Sequence, residues 1–267
     1  MKQAIPAHRK SHRSRLKSLV GWVLAINLGL LLNMEAQEVP YEIAPVNAPF
    51  EMPELKRPSF PLKTFNIKDY GAKEMSGDNP SKSTEAIHKA IEAAHAAGGG
   101  KVVIPAGDWL TGPIHLRSHL NLHIAKGATV YFSKNREDYL PVVPVRWEGV
   151  EVYNYSPLIY ANNVKNVAVT GKGVLDGQGD PWWEWAYASD FTSRFEATKT
   201  RLSRRPFGKG AGEEGLRPNF VVFWKCEDVL VEGITLKDSP MWNVHLIYSN
   251  KAIVRDVHIH SLRSPNG

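Results

Sequence analysis

Four side chains in the segment 182–217 could together bind an acidic sugar. Trp182 and Trp183 offer flat aromatic surfaces, which match the C–H face of a pyranose ring. Arg204 and Arg205 carry guanidinium groups, which pair with carboxylates through two parallel hydrogen bonds. Each pair has a second interpretation. At least one tryptophan could only pin the loop to the rest of the fold, and the arginines could belong to a solvated charged loop.

A second group of polar candidates lies at residue 176 and around residue 243. His245 could donate a hydrogen bond to a sugar hydroxyl or carboxylate, and Trp242 and Asn243 stand just before it. The alternative is that His245 is a corner or core histidine bonded to the backbone. Asp176 is a lone carboxylate in a tight bend, where such a residue more often accepts a hydrogen bond from its own backbone.

A repeat of 23 residues predicts the elements that would position these side chains. Four apolar residues of one layer recur 23 positions later in the next: Val229, Val231, Ile234 and Leu236 correspond to Ala252, Val254, Val257 and Ile259. Short alternating runs at such a period are typical of a solenoid, in which each coil buries its inward face against the next. The pattern favours an all-β parallel β-helix over roughly residues 100–267, and a sandwich with coincidental spacing is the alternative.

The corners and connections of this solenoid can also be predicted. Several corners hold an asparagine that suits a left-handed bend: Asn162, Asn163, Asn166, Asn219 and Asn250. Residues 133–157 are predicted to be an irregular aromatic loop outside the coils. Residues 186–217 are predicted to be a long polar insertion, and insertions of this length are usually functional or disordered.

The chain before the coils divides into a leader and a cap. Residues 37–62 contain six prolines and predict an extended leader without a core of its own. The β-helix domain would then occupy residues 63–267. Ser83 or Thr84 could cap a helix that begins at Glu85, and its apolar residues fall on one face: Ala86, Ile87, Ala90, Ile91 and Ala94. Such a helix would cover the open end of the first coil.

The formal net charge of +6 is concentrated at the N-terminus, since the first 36 residues carry +5 and leave +1 for the remainder. We therefore expect no nucleic-acid partner. A basic region followed by an apolar run from Leu19 to Leu32 predicts a signal peptide over residues 1–36, with an uncleaved signal anchor as the alternative. We expect a secreted or periplasmic protein that leaves the membrane after cleavage. The single cysteine, Cys226, excludes an intrachain disulfide.

Several short segments of the chain resemble sequences of glycoside hydrolase family 28, the polygalacturonase family. These segments lie between residues 65 and 245: FNIKDYGA (65–72), AGGGKVVIPAG (97–107), LTGPI (110–114), GKGVLDGQG (171–179) with Trp182 and Trp183, and SPMWNVH (239–245). The resemblance implies a right-handed parallel β-helix that hydrolyses α-linked galacturonic acid in pectin with inversion. It implies a pectic polysaccharide or oligogalacturonide as substrate, no cofactor or metal, and a monomeric enzyme. The long insertions favour exo attack.

The first catalytic motif of that family is Asn-x-Asp, and its Asn matches Asn266. The motif's Asp is expected directly after Gly267, so the resemblance predicts an N-terminal portion of a longer enzyme that is inactive alone. An inverting hydrolase needs two carboxyl groups about 6.5–9.5 Å apart. Two alternatives remain at this point: a lyase of the pectate lyase type, which needs clustered acidic ligands for calcium, and a non-catalytic glycan-binding β-helix.

Overall fold

The computed structural model describes residues 42–44, 47–52, 54–78, 80–147, 149–183 and 216–262. The predicted signal peptide, most of the 186–217 insertion and Asn266 lie outside them. The described part contains β-strands β1–β17, the α-helix α1 (Thr84–Ala96), and the 3₁₀ helices Ile67–Tyr70 and Arg136–Tyr139. Residues 180–183 form a further helical turn. None of the described helices has the length and apolar character needed to cross a membrane.

Three parallel sheets form the faces of a coil stack, and the chain passes from one sheet to the next in turn. The first sheet contains β1 (Thr64–Asn66), β2 (Gly100–Ile104), β5 (Leu120–Ile124), β10 (Lys165–Gly171), β13 (Glu227–Glu232) and β16 (Asn250–Arg255). The second contains β3 (Gly107–Thr111), β6 (Ala128–Phe132), β11 (Val174–Asp176), β14 (Thr235–Lys237) and β17 (His258–His260). The third contains β4 (Ile114–His115), β9 (Ile159–Asn162), β12 (Val221–Trp224) and β15 (Val244–Ile247). The predicted right-handed parallel β-helix is confirmed.

The strand register follows the 23-residue repeat. Val229 pairs with Ala252 and Val231 with Val254 in the first sheet, and Leu236 pairs with Ile259 in the second. Val229, Val231 and Leu236 have no exposed surface. Successive side chains of a strand face opposite sides of the sheet, so the alternating apolar side chains all face the interior of the coils. Each coil then covers the apolar face of its neighbour.

Residues in the left-handed backbone region recur at equivalent corners of successive coils. His119, Asn166, Asp228 and Lys251 occupy one such row just inside or before the first-sheet strands. The prediction for the corner asparagines is confirmed at Asn163 and Asn166, while Asn162, Asn219 and Asn250 have negative φ. Glycine is required where coils touch most closely: a Cβ on Gly171, which has a φ of +127°, would lie 1.8 Å from the carbonyl oxygen of Ile124.

Helix α1 covers the first coil as predicted. The five predicted residues are its buried residues and belong to the same apolar core as the coils. The predicted side-chain cap is wrong. Ser83 Oγ donates to the carbonyl oxygen of Lys73, 3.0 Å away, and Thr84 Oγ1 accepts from the backbone N–H of Gly112 at 2.6 Å. Both hydroxyls therefore join the helix to neighbouring loops instead of closing its first turn.

The described parts of the leader form no helix or strand, but they lie along the outer face of the first sheet. Ile43, Leu55 and Phe60 pack against outward-facing residues of three successive coils: Ala168, Leu230 and Ile253. Near the first coil, the carbonyl oxygen of Lys63 accepts from the N–H of Lys101 at 2.8 Å. The described residues between 42 and 63 therefore form a strap across the coils.

The prediction of an irregular loop at residues 133–157 is wrong. Its first part contains the 3₁₀ helix that ends at Tyr139, and β7 (Val143–Trp147) and β8 (Val150–Asn154) form an antiparallel hairpin. The segment does lie outside the coils. The alternating residues Val145, Trp147 and Val152 are buried against the outer face of the third sheet, with Tyr160, Val222, Trp224 and Ile247. Apolar and polar residues alternate over two short runs in this segment, and this pattern is typical of the two strands of a hairpin.

The last described coil exposes side chains that face inward in earlier coils. Leu246, Val254 and Ile259 are 38, 43 and 57% exposed, whereas their counterparts Phe223, Val231 and Leu236 are fully buried. Each belongs to a strand at the end of its sheet in the described order.

Candidate functional site

Three connections that join the second sheet to the third lie at one corner of the stack, and two of them are long. Residues 133–158 connect β6 to β9, residues 177–220 connect β11 to β12, and residues 238–243 connect β14 to β15. The coils approach closely here, since a Cβ on Gly177 would lie 2.7 Å from the carbonyl oxygen of Asp238. In-register stacking therefore brings candidate residues from different coils together at this corner.

Asn219, Trp242 and His245 form a contact cluster where strands of the third sheet begin. The amide nitrogen of Asn219 lies 3.1 Å from Nδ1 of His245. The Trp242 ring meets the His245 ring edge to face, with centroids 4.8 Å apart and an interplanar angle of 81°. The sequence placed Trp242 and His245 together but assigned Asn219 only to a corner. The repeat could have placed Asn219 in this cluster, because Asn219 precedes Trp242 by 23 residues.

Buried polar atoms without a partner are concentrated beside this cluster. Among the residues that the structure describes, Oδ1 of Asn219, Oδ1 of Asn243 and Oγ of Ser239 are buried and make no hydrogen bond. All three belong to the connections that precede β12 and β15. Native proteins keep such atoms rarely, because each costs the desolvation free energy of a polar group. Their concentration indicates a functional corner.

The environment of His245 favours the neutral imidazole. Burial lowers the pKa of His245 below its usual value near 6.5, and the positive charge of Arg146 lowers it further. Arg146 comes from the β7–β8 hairpin, where its guanidinium group lies 5.9 Å from the centre of the Tyr248 ring. The hairpin thus brings a cation to the outer face of the third sheet, and the sequence analysis did not predict this residue.

Asp176 has a structural role in the described coils. Its Oδ1 accepts from the backbone N–H of Gln178 at 3.0 Å, and its Oδ2 lies 2.7 Å from Nζ of Lys237 in the next coil. The bend interpretation of Asp176 is therefore confirmed. The hydrogen bond to Asp176 is the main cause of a raised pKa at Lys237. The buried carboxylate is committed to these partners, and it is not positioned as a free substrate ligand.

The prediction that Trp182 stacks on a sugar is wrong, since its side chain has no exposed surface. Its ring packs edge to face against Tyr139 and Tyr155, with centroid distances of 5.4 and 5.5 Å. Both tyrosines belong to the 133–157 segment. Trp182 therefore joins this segment to the coil stack through an aromatic cluster.

Trp183 is also buried, with 6% of its surface exposed. Its indole N–H donates to the carbonyl oxygen of Ser239 at 2.8 Å. The ring lies against Gly179, where an added Cβ would come 2.6 Å from the indole. This geometry contradicts the sugar-stacking prediction and supports the interpretation in which the tryptophan pins its loop to the coil.

The remaining predicted site residues, Arg204, Arg205 and Asn266, lie outside the described residues, and so does the expected start of the catalytic motif. Of the candidates that the structure describes, Trp242, Asn243 and His245 come together at one corner. Within the same part of the chain, no three histidine, cysteine, aspartate or glutamate side chains are grouped as a metal site. What the corner offers is a hydrogen-bonding histidine, a partly exposed tryptophan and a nearby cation, which suit the binding of an anionic ligand.

The chain is similar in sequence to proteins named as pectin-degrading enzymes. No family model matches the chain. A probable polygalacturonase of Vitis vinifera is 29% identical over 210 residues, which cover 75% of this chain and 38% of the relative. An exo-poly-alpha-D-galacturonosidase of Dickeya chrysanthemi is 34% identical over 142 residues, which cover 48% of this chain and 21% of the relative.

Among solved structures, a hyperthermoactive exopolygalacturonase from Thermotoga maritima is similar, with a TM-score of 0.69 and 40% identity. The match covers 77% of this chain and 48% of that one. The chain thus spans less than half the length of each of these three relatives. The quoted segments, the stacked coils and these similarities agree, and the chain belongs to glycoside hydrolase family 28, the polygalacturonase family.

Proposed function

We propose that the protein takes part in pectin degradation as a hydrolase of α-linked galacturonic acid. The observation that carries the proposal is the 40% identity over 77% of the chain to the Thermotoga maritima exopolygalacturonase, together with the shared fold. The proposal includes exo attack, because two of the relatives described above are exo-acting by name. The lengths of the connections 133–158 and 177–220 also support exo attack.

The described corner would act in substrate binding. Galacturonic acid carries a carboxylate and several hydroxyl groups, so it needs hydrogen-bond donors and a positive charge. His245 supplies an imidazole at this corner, and Arg146 supplies a cation whose charge acts on the same ring. The proposed inverting chemistry further requires two carboxyl groups about 6.5–9.5 Å apart, one as acid and one as base. We assign neither of them to the described residues, because the motif at Asn266 lies outside these residues.

The reaction class can be tested with protein expressed from its complete gene. Incubation with polygalacturonate should release new reducing ends without forming unsaturated uronides. End products should be monogalacturonate or another short unit of constant size if attack is exo. Unsaturated products that depend on calcium would instead assign a lyase, and binding without any cleavage would assign a glycan-binding protein.

We also propose that the protein is exported and acts as a monomer. The basic and apolar N-terminal residues support export as a signal peptide. N-terminal sequencing of protein recovered from the periplasm or the medium should find a chain that begins near Gln37. A product that keeps residues 1–36 and stays with the membrane fraction would favour the signal anchor. Light scattering of the exported protein would measure its mass in solution.

A further inference from the structure

The contact between Asn219 and His245 has a preferred direction. Asn219 is 3% exposed, and its Nδ2 lies 3.1 Å from Nδ1 of His245 while its Oδ1 is buried without a partner. The reverse amide orientation would leave Nδ2, with two N–H groups, buried without an acceptor. An unpaired buried N–H is rarer in proteins than an under-satisfied carbonyl. The orientation in which Nδ2 donates is therefore the favoured one.

A donor at Nδ1 determines where the proton of a neutral imidazole lies. Neutral histidine has one N–H and one acceptor nitrogen, and the partner of one nitrogen selects the tautomer of the ring. Because Nδ1 accepts from Asn219, the proton must lie on Nε2. Nε2 has no hydrogen-bond partner among the described residues, so it remains available as a donor.

We propose that Asn219 is a positioning residue that holds neutral His245 with its proton on Nε2, ready to donate to an acidic sugar. What His245 donates to rests on the proposed function, whereas the tautomer does not. The Trp242 ring, edge to face at 4.8 Å, restrains the orientation of the imidazole. The charged group that acts on His245 from the packed elements is Arg146 of the hairpin, which opposes protonation of the ring.

A neutral donor has a functional advantage here. An imidazolium would also present an N–H, but its positive charge would be lost as the pH rises above the pKa of the ring. A neutral Nε2–H group offers the same donor at any pH above the lowered pKa of the ring. Binding through His245 should therefore change little with pH in the neutral range.

The tautomer can be measured by NMR of protein labelled with nitrogen-15 in its histidine rings. His245→Gln identifies the signals of His245 among the 10 histidines. At pH 7 we expect an unprotonated Nδ1 and a protonated Nε2. Asn219→Asp places an acceptor of the same shape at Nδ1, so the proton should move to Nδ1 or the ring should become doubly protonated. Asn243→Asp adds the same charge two residues before His245, at a side-chain oxygen that has no hydrogen-bond partner, and should keep the wild-type tautomer.

These outcomes decide the proposal. A proton on Nδ1 in the wild type, or an unchanged tautomer in a folded Asn219→Asp variant, would overturn it. If Asn219→Asp does not fold, the wild-type tautomer alone still decides.

Binding of trigalacturonate at pH 6 and pH 8 gives an independent readout. The wild-type affinity should be nearly the same at both pH values. In Asn219→Asp the neutral ring no longer donates from Nε2, so affinity should fall by about tenfold from pH 6 to pH 8. A pH-independent affinity in this variant would contradict the positioning role. If the wild type has the expected tautomer but does not bind trigalacturonate, the proposed function is contradicted. The positioning role of Asn219 is then still supported.

Discussion

Arg57 and Glu232 form an ion pair although 175 residues separate them in the sequence. Arg57 binds both carboxylate oxygens of Glu232, and Nε of Arg255 in the next coil lies 2.7 Å from one of them. The side chains of this network are only 15–20% exposed. The strap therefore contacts two coils whose residues follow it by more than 150 positions in the sequence.

Arg57→Ala should lower the free energy of unfolding by about 1–2 kcal/mol. The substitution leaves Glu232 with one cationic partner instead of two, in a partly buried position where screening by water is reduced. Denaturant unfolding measures the change. The matched control is Lys56→Ala, because Lys56 and its partner Glu54 are 79 and 80% exposed and such pairs contribute little. Equal effects of the two substitutions would refute a stabilising role for the strap pair.

The contribution of Arg57 should also depend on pH. The hydrogen bond from Arg57 is the main reason that the pKa of Glu232 lies below its ordinary value of 4.5. A depressed carboxylate pKa stabilises the fold above the unfolded-state pKa, and this stability is lost as pH falls through the folded-state pKa. The difference in stability between wild type and Arg57→Ala should thus be constant from pH 6 to pH 8 and shrink below about pH 4. A difference that persists at pH 2.5 would exclude the charge explanation.

Gly171→Ala should be more destabilising than Gly149→Ala. Both glycines have positive φ, which costs other residues about 1–2 kcal/mol. Only at Gly171 does the added methyl group also meet a neighbouring coil, since nothing lies within 4 Å of the corresponding position at Gly149. Comparison of the two thermal midpoints separates backbone strain from the clash between coils. Similar midpoints would mean that the coils shift apart without cost.

Trp182→Ala should destabilise the protein by about 3–5 kcal/mol, because the ring is fully buried between two tyrosines. Trp182→Phe keeps most of the apolar contact and should cost much less. Since Trp182 offers no surface to a sugar, the Phe variant should bind trigalacturonate like the wild type. Weaker trigalacturonate binding by a stable Phe variant would instead show that Trp182 contributes to the binding site.

The sequence by itself determined the coil stack and its cap. Val229 and Val231 face inward because alternation is a local property of a strand, and the 23-residue repeat sets which residue of the next coil pairs with each. Ile87 and Ile91 likewise lie on the buried face of α1 because the helical period decides it. These features depend on neighbours in the chain, so a pattern along the chain can reveal them.

Only the tertiary structure decided what covers the outer faces and which site residues meet. The strap reaches Glu232, the hairpin carries Arg146 towards His245, and Trp182 is enclosed by tyrosines of another connection. None of these partners shares a repeat position, because each comes from a segment outside the coils. Asn219 and His245 do lie one coil apart, yet the direction of their hydrogen bond depends on burial of the amide. Such contacts exist only once the coils are stacked, and packing rather than local periodicity selects them.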